Sequence, residues 1–340
     1  MIKLSVIIPA YNASRTMQRC MKSIFAVGLD ESDFEIIAVD DCSTDNTLKS
    51  LQLYSKIYSN VKVLHQTVNK RQGAARNRAI SEAEGEYIAF VDADDEVCGG
   101  LKDALANVLL TRADMQYCSV ESVGGDGRSI NHYSIGLSDD ALITGKTFLN
   151  DFYKTQLCAY PWAWLYRKRF LTSLNIPFIE GRIAEDMDWI ELHLMNAERV
   201  GCFSKVIYRY YVQNNNSSTH TMNWKYEADR MHMVMRRLKL MESVKEELPH
   251  YAKQVWEDSY HLQMMRWRLR RLSKYSPTFY WRLMSNTDIK DDVLPYLRKY
   301  DWSKTAELCQ NHKYLTLALL CIIYPVSTIG RWMTSIIKKS

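Results

Sequence analysis

The feature that most constrains the fold is a repeated alternation, in the first hundred residues, between short apolar runs and segments with helical periodicity. Residues 4–8 form the first apolar run, and residues 17–25 then place apolar side chains at positions i, i+3, i+4, i+7 and i+8. Further apolar runs follow at 34–39, 61–64 and 86–91, with helical segments between them. This alternation is typical of βαβ units, so it predicts an α/β fold with a mostly parallel sheet.

Polar residues follow the predicted strands at their carboxyl ends. The turn 9–12 follows the first strand, Asp40 and Asp41 end the second, and Asp92 and Asp94 follow the fourth. Ligands of open α/β sheets bind outside these ends of the strands. Two carboxylates one residue apart at such an end indicate a hard divalent cation, Mg²⁺ or Mn²⁺, and an acidic surface turn is the structural alternative.

Several other classes of protein are excluded by what the sequence lacks. No G-x-G-x-x-G and no G-x-x-x-x-G-K-[ST] occurs, so neither a dinucleotide dehydrogenase nor a P-loop enzyme has its phosphate-binding loop. The chain has 340 residues with 44 Lys and Arg against 39 Asp and Glu, a balance that does not by itself imply nucleic acid as a partner. The anion that this crevice holds is therefore expected to be neutralised by a metal ion.

Four blocks of the first hundred residues occur in an order and spacing found in one enzyme family. They are LSVIIPAYN at 4–12, VDDCSTD at 39–45, GAARNRAI at 73–80 and FVDADD at 90–95. Together they resemble family 2 nucleotide-sugar glycosyltransferases of the type that serves bacterial polysaccharide biosynthesis. The resemblance covers roughly residues 1–220 and implies the GT-A fold, a Rossmann-like, three-layer α/β/α architecture around a mostly parallel central sheet.

The resemblance also implies a division into domains. Residues 1–221 would form the GT-A catalytic domain, with a nucleotide-binding half at 1–100 and an acceptor half at 101–221. After Asn214–Ser218 the composition becomes helical, aromatic and basic, without further βαβ alternation. We therefore expect residues 222–340 to be a C-terminal helical extension.

Individual residues acquire roles from the same resemblance. The nucleotide sugar would be bound by Pro9, Ala10, Tyr11, Asn12, Asp40, Asp41, Arg76, Asp92 and Ala93. The turn 9–12 would line the base, Asp40 or Asp41 would hydrogen-bond the base or ribose, and Arg76 would lie beside the nucleotide. Asp92 would contact the ribose or a metal-bound water. Asp94 would hold the Mn²⁺ or Mg²⁺ ion that bridges the diphosphate.

A second acidic motif occurs at residues 184–187, before a predicted helix. Its place resembles the general-base motif of the family, which assigns the base to Asp186 and, as the second choice, to Glu185. A carboxylate suits this task because the acceptor hydroxyl needs a proton acceptor on the far side of the sugar. The structural alternative is that both acids only complement the amino terminus of the helix.

Four further residues are candidates for contact with the acceptor or the phosphates. Trp164, with Trp162 less favoured, could stack on a sugar acceptor, although aromatic rings also dominate the buried area of most cores. Ser218 and His220 lie in a segment that resembles the loop closing over the donor phosphates in the family. The run of three Asn residues before Ser218 departs from the usual pattern of that loop.

The basic residues are concentrated in the last third of the chain. Residues 222–340 contain 21 Lys and Arg against 12 Asp and Glu, whereas residues 1–221 contain 23 against 27. The segment 266–271 interleaves basic and apolar side chains. A helix of this composition fits an anionic membrane surface, so we expect residues 222–340 to contact one. The alternative is a solvated helical bundle that packs on the catalytic domain or forms a homodimer.

We expect a cytoplasmic protein held peripherally at the cytoplasmic face of the inner membrane. The eight cysteines are scattered without a C-x-x-C pair, as is typical of reduced cytosolic thiols. Residues 314–330 carry no charge and reach only the lower limit of a spanning helix, roughly 17 residues. Pro325 and the hydroxyl residues around it favour a helix that lies on the membrane or packs into the protein.

The resulting functional hypothesis is a metal-dependent, inverting glycosyltransferase. It would transfer a sugar from a nucleotide-diphosphate donor, in the first instance a UDP-sugar, to a hydroxyl of a glycan or lipid-linked acceptor. A sugar-phosphate nucleotidyltransferase is the enzymatic alternative, although the turn at 10–13 lacks the glycine that such enzymes use. A non-enzymatic adaptor for polyanions is the other alternative; no nucleic-acid recognition signature supports nucleic acid as the partner.

Overall fold

A single mixed sheet with helices packed against it forms the part of the chain that the structure, a computed structural model, describes: residues 2–149, 160–183, 185–212 and 229. Its elements in chain order are β1 (Leu4–Ala10), α1 (Met17–Phe25), β2 (Phe34–Asp40), α2 (Thr47–Ile57), β3 (Val61–His65), α3 (Arg71–Glu82), β4 (Tyr87–Phe90), β5 (Glu96–Val97), α4 (Gly100–Thr111), β6 (Met115–Val123), β7 (Ser129–Tyr133), β8 (Leu142–Ile143), a 3₁₀ turn (Pro161–Ala163), β9 (Trp164–Arg167), α5 (Lys168–Leu174), α6 (Met187–Asn196) and β10 (Val200–Tyr211).

The strands follow the order β3-β2-β1-β4-β9-β6-β10-β5, with β7 beside β6 and β8 beside β10. Strand β1 pairs in parallel with β2 and β4, β2 with β3, and β6 with β10. Strand β9 lies antiparallel between β4 and β6. The α/β fold and the parallel amino-terminal half predicted from the sequence are confirmed, and the insertion of β9 makes the second half mixed.

The amino-terminal strands form where the apolar runs predict them. Every residue of β1 and β2 is buried, because each strand has neighbours on both sides and helices cover the faces of the sheet. Helix α1 buries Met17, Cys20, Met21 and Ile24, the stripe expected from its periodicity. These elements therefore owe their positions to burial of one continuous apolar layer.

An aromatic cluster holds the second half of the sheet against α6. The ring of Phe90 meets those of Tyr166, Phe178 and Trp189 edge to face, with centroids 5.5–5.9 Å apart. Phe178 and Trp189 stack at 4.1 Å with 12° between their planes. Because Trp189 belongs to α6, this cluster fixes the amino end of that helix relative to β4.

A buried carboxylate joins three strands at the amino edge of the sheet. Oε1 of Glu35 accepts hydrogen bonds from Ser5 Oγ at 2.6 Å, Glu84 N at 2.6 Å and Gly85 N at 3.2 Å. No side chain fits at Gly85, since a Cβ there would lie 2.4 Å from Ser5 N. The edge opposite the acidic motifs is therefore closely packed around this carboxylate.

Several predictions concern residues outside the described part of the chain. They are the domain boundary at 221/222, the helical extension 222–340 and the uncharged segment 314–330, all of which stay predictions. None of the helices in the described residues is long and apolar enough to cross a membrane.

Candidate active site at the carboxyl edge of the sheet

The predicted site residues converge at the edge where the parallel strands end. Strands β1, β2 and β4 are adjacent and parallel, so Asn12, Asp40 and Asp92 emerge at one edge of the sheet. The chain runs outward from β1 to β3 and then returns to place β4 on the other side of β1. Such a reversal opens a crevice at the carboxyl ends of the strands, which is where ligands of α/β sheets bind.

Strained backbone conformations are found at this same edge. Asn12, Cys42 and Arg71 have φ angles of 50°, 61° and 70°, and they follow β1, follow β2 and begin α3. Two further non-glycine residues of the described part, Arg112 and Asn175, also have a positive φ, and they are the C-caps of α4 and α5, where this conformation is ordinary. Strain of this kind tends to collect at functional sites.

Asn12 joins the loop after β1 to the loop after β2. Its Oδ1 accepts hydrogen bonds from Thr44 N at 2.8 Å and Thr44 Oγ1 at 3.2 Å. Its own backbone N–H donates to Ser43 Oγ at 3.0 Å. The two loops expected to surround the base are therefore tied to each other.

The other residues of the turn after β1 differ in what they expose. Pro9 and Ala10 are buried within β1, so only their backbone faces the edge. Tyr11 is 50% exposed. Of the three, Tyr11 is the one whose side chain is exposed.

The adjacent acids Asp40 and Asp41 have different partners. Asp40 Oδ2 lies 2.9 Å from His65 Nδ1, and its buried Oδ1 has no hydrogen-bond donor among the described residues. Asp41 Oδ1 accepts from Lys70 N at 2.8 Å and Gln66 Nε2 at 2.9 Å, and burial raises the pKa of this carboxyl. Asp41 thus holds the start of α3, while Asp40 is fully enclosed at the end of β2 and its expected contact with the base or ribose stays a prediction.

The last acid of the Asp92–Asp95 run is a structural group. Asp95 is buried, and its carboxylate accepts from the Tyr208 hydroxyl at 2.8 Å and from Tyr211 N at 2.9 Å. The Tyr208 hydroxyl in turn accepts from Asp92 N at 3.0 Å. Burial raises the pKa of Asp95 well above its usual range. The end of β10 is thereby fastened to the loop after β4.

The first three residues of this run lie closer to the crevice. Asp92 is partly exposed and its Oδ1 accepts from Arg76 Nη2 at 2.9 Å. Ala93 is buried, and Asp94 is half-buried. The backbone carbonyl of Asp94 accepts a hydrogen bond from the Arg19 guanidinium. Asp94 is therefore less enclosed than Asp95, and it lies two residues after Asp92.

These side chains fit a cation that takes some of its ligands from the protein and the others from a bound substrate. Magnesium sites of enzymes commonly use one or two carboxylates and take their other ligands from phosphates and water. Among the described residues no three His, Cys, Asp or Glu side chains converge as a metal-binding group. Asp94, with Asp92 beside it, could supply the protein's share of such a coordination sphere.

Arg76 connects the two acidic motifs. Its guanidinium is buried, with Nη1 at 2.6 Å from Glu185 Oε1 and Nη2 at 2.9 Å from Asp92 Oδ1. It also lies 5.4 Å from the centre of the Phe178 ring. Arg76 is buried between these two carboxylates, and its expected position beside the nucleotide stays a prediction.

The acidic pair before α6 is buried. Glu185 is fully enclosed, and burial raises its pKa although Arg76 opposes the rise. Burial, and then the charge of Glu185, raise the pKa of Asp186 to about 7. Asp186 occupies the N-cap position of α6 but makes no side-chain capping hydrogen bond. The arrangement therefore favours a proton acceptor over a simple helix cap.

Trp164 does not reach the crevice. Its ring is completely buried, with centroids 5.2 Å from those of Tyr117 and Phe148. The prediction that it contacts the acceptor is corrected, because a ring enclosed by the core has no face for a sugar. Ser218 and His220 lie outside the described residues.

Sequence reasoning assigned no role to two residues that support the site. The guanidinium of Arg19 lies 3.8 Å above the Tyr211 ring and donates to the Asp94 carbonyl. Asp95, in the loop after β4, holds the end of β10 through Tyr208 and Tyr211. A third acid directly after an Asp-x-Asp pair was a signal for Asp95, whereas Arg19 sits among other polar residues of α1 without any distinguishing pattern.

Comparison with known sequences decides the family. Residues 5–174, half of the chain, match the pattern of glycosyl transferase family 2. The chain belongs to this family. The resemblance inferred from the four sequence blocks is confirmed, and with it the class of glycosyltransferases.

Curated relatives of this family member include both uncharacterised and named enzymes. The chain is 33% identical over 222 residues to the uncharacterized glycosyltransferase YibD of Escherichia coli and covers 63% of it. It is 46% identical over 97 residues to a poly(ribitol-phosphate) beta-glucosyltransferase of Bacillus spizizenii, covering 15%. It is 30% identical over 213 residues to TarS of Staphylococcus aureus, a poly(ribitol-phosphate) beta-N-acetylglucosaminyltransferase, covering 35%. These matches take in 64%, 28% and 62% of the present chain.

Solved structures of similar fold contain nucleotides. Residues 1–349 of S. aureus TarS, in complex with UDP-GlcNAc, match with a TM-score of 0.63 at 23% identity, over 87% of this chain and 81% of that one. A mannosyltransferase from Pyrobaculum calidifontis, in complex with GDP-Man and Mn²⁺, matches with a TM-score of 0.53 at 15% identity, over 93% and 86%. The predicted GT-A fold of this family member is confirmed.

Proposed function

We propose that the chain is a metal-dependent, inverting glycosyltransferase that moves a sugar from a UDP-sugar to a hydroxyl of a glycan or lipid-linked acceptor in cell-surface polysaccharide synthesis. The observation that carries the proposal is the ion-paired connection Asp92–Arg76–Glu185. It joins the acidic run after β4 to the acidic pair before α6. We infer that the acidic run binds the donor and that the acidic pair supplies the proton acceptor at one crevice.

The donor would occupy the side of the crevice formed by β1 and β2. The loops after these strands are tied together by Asn12 and Thr44, and the side chain of Tyr11 between them is 50% exposed. The base would lie against Tyr11. The UDP-GlcNAc complex of the TarS fold supports UDP as the first nucleotide to test.

Asp94 would hold the Mn²⁺ or Mg²⁺ ion, with Asp92 next to it. The ion, when bound, would neutralise the negative charge that develops on the departing nucleoside diphosphate. Arg76 orients Asp92 through their ion pair, and Asp95 anchors the loop through Tyr208. The Mn²⁺ complex of the Pyrobaculum fold supports a divalent ion in this role.

Asp186 would accept the proton of the acceptor hydroxyl as that hydroxyl attacks the sugar. A base works best when its pKa lies near the working pH, and burial brings the pKa of Asp186 to about 7. Attack by the hydroxyl itself, in one displacement, inverts the configuration of the sugar. Glu185, which is held by Arg76, would orient the Asp186 carboxylate and raise its pKa.

The proposal is tested by measuring UDP release from a panel of UDP-sugars with Mn²⁺. Asp186→Asn is expected to lower turnover on the order of 10²- to 10⁴-fold, the usual contribution of a positioned base. Asp94→Asn is expected to abolish stimulation by Mn²⁺. Asp126→Asn is the control, because its side chain is exposed in the 124–127 loop. Full activity of Asp94→Asn with the metal chelated would refute the metal mechanism.

We further propose that residues 222–340, outside the described part, hold the enzyme at an anionic membrane surface near its acceptor. The net excess of nine basic side chains in this segment supports the proposal, at about 1 kcal/mol for each one that reaches the surface. Full-length protein should sediment with phosphatidylglycerol-containing vesicles and be released by salt. Equal sedimentation with neutral vesicles would contradict this role of charge.

A further inference from the structure

Four aromatic side chains form a stack beside the acidic run. Trp162 lies parallel to Tyr208, with centroids 4.6 Å apart and 5° between the planes. Tyr160 lies on Trp162 at 5.0 Å and 13°. Tyr210 stacks against both Trp162, at 5.6 Å, and Tyr160, at 6.3 Å. We call Tyr160, Trp162, Tyr208 and Tyr210 the aromatic stack.

The inner end of the aromatic stack is part of the candidate active site. The hydroxyl of Tyr208 accepts from Asp92 N and donates to Asp95 Oδ2. Tyr208 and Trp162 are buried, with 1% and 3% of their surface exposed, whereas Tyr160 is 43% exposed. The stack therefore extends from the loop after β4 outward to a ring that solvent reaches.

The position of the aromatic stack separates it from the nucleotide side. Strand β9 runs antiparallel to β4, with Leu165 opposite Ala89, so residues just before β9 lie at the edge where β4 ends. The loops assigned to the nucleotide follow β1 and β2, on the far side of β4. A ligand on Tyr160 would thus approach the acidic run from the side of β9, away from the loops after β1 and β2.

The chemistry of the aromatic stack selects a neutral ligand with an apolar face. Aromatic ring faces carry partial negative charge and attract polarised C–H groups. Asp92 and Asp94 near the inner end disfavour an anion. A pyranose ring presents a face of C–H groups and no net charge. Trp162 and Tyr210 hold Tyr160 in place beforehand, which lowers the entropy lost when a ligand binds.

We propose that Tyr160, backed by Trp162, is the stacking platform for a pyranose ring of the acceptor. The inference rests on the proposed function, since it names the class of molecule that receives the sugar. Tyr160 takes the place that sequence reasoning gave to Trp164. The hydroxyl of Tyr160 plays no part in it, because the ring face makes the contact.

The test measures binding of methyl β-D-glucopyranoside and methyl N-acetyl-β-D-glucosaminide to the full chain by saturation-transfer NMR, without any turnover. Tyr160→Phe and Tyr160→Trp should bind as the unmodified protein does. Tyr160→Ala and Tyr160→Leu should weaken binding on the order of 3- to 10-fold. Tyr133→Ala, on β7, is the matched tyrosine control and should change nothing.

Binding of UDP, measured on the same samples, shows that each variant is folded and should be unchanged. Loss of pyranoside binding in Tyr160→Leu with UDP binding intact would support the platform. Unchanged pyranoside binding in Tyr160→Ala and Tyr160→Leu, or no pyranoside binding by the unmodified protein, would overturn it. Absence of UDP release from every UDP-sugar would instead count against the proposed function, so the two failures are distinguishable.

Discussion

Replacing Arg76 by Met removes the buried positive charge that pairs with both Asp92 and Glu185. The side chains of Arg76 and Glu185 are 2% and 0% exposed, so their ion pair is not screened by solvent. Asp92 is 28% exposed, and its pair with Arg76 contributes less. Removing one partner of a buried pair costs about 3–5 kcal/mol, mainly because the other charge stays buried alone. We expect Arg76→Met to lower the free energy of unfolding by that amount at pH 8.

The pH dependence of this loss follows from Glu185. Without Arg76 the pKa of Glu185 in the folded protein rises further above its unfolded value, since burial already raises it. The folded protein then retains a proton that the unfolded chain releases. The destabilisation should therefore be smallest near pH 5 and grow toward pH 8. Adding Glu185→Gln to Arg76→Met should recover roughly 1–3 kcal/mol at pH 8, because the buried side chain that was in contact with Arg76 is then neutral.

The assay is urea denaturation followed by tryptophan fluorescence, to which Trp189, stacked on Phe178 near Arg76, contributes. Arg128→Met is the control: Arg128 is 89% exposed and pairs only with Asp126 among the contacts described, so its loss should stay within about 0.5 kcal/mol. If Arg76→Met costs less than about 1 kcal/mol and shows no dependence on pH, the reasoning about a shared buried cation is wrong.

Three further perturbations test other parts of the structure. The rate of sugar transfer should rise as pH increases through about 7, because Asp186 must lose its proton to act as the base, and Glu185→Gln should shift this rise to lower pH; a midpoint that Glu185→Gln leaves in place would contradict the coupling. Gly85→Ala should destabilise the protein by about 1–3 kcal/mol in a thermal melt, since its Cβ would meet Ser5 N, while Gly99→Ala, with open space around it, should not. Tyr208→Phe should raise the Mn²⁺ concentration needed for half-maximal UDP release, because the loop after β4 loses its anchor to Asp95; an unchanged requirement would show that the anchor is dispensable.

Much of the amino-terminal half could be predicted from the sequence because its signals are local. Fully buried parallel strands appear in the sequence as apolar runs. The periodicity of the apolar residues in α1 predicts which face of that helix is buried. Because these strands are parallel, their carboxyl ends lie at one edge of the sheet, and this alone predicts where the polar clusters meet. Local pattern was therefore sufficient to place Asn12, Asp40 and Asp92 together.

Contacts between distant segments were beyond sequence reasoning. Arg76 and Glu185 are 109 residues apart, and nothing near Arg76 shows that its charge is directed inward. Trp164 and Trp162 are separated by one residue, yet one lies in the core and the other in the aromatic stack. The difference depends on β9, whose antiparallel place between β4 and β6 has no short-range signal.

The carboxylate of Glu35 has a consequence for how the enzyme can move. It binds β1 through Ser5 and the turn before β4 through Glu84 and Gly85, and it belongs to β2. These three strands therefore cannot slide past one another at the amino edge. Among the described residues, an opening that admits a donor is therefore expected in the loops at the other edge. Because Asn12 ties the first two of those loops together, we expect them to swing as one flap about a fixed hinge line.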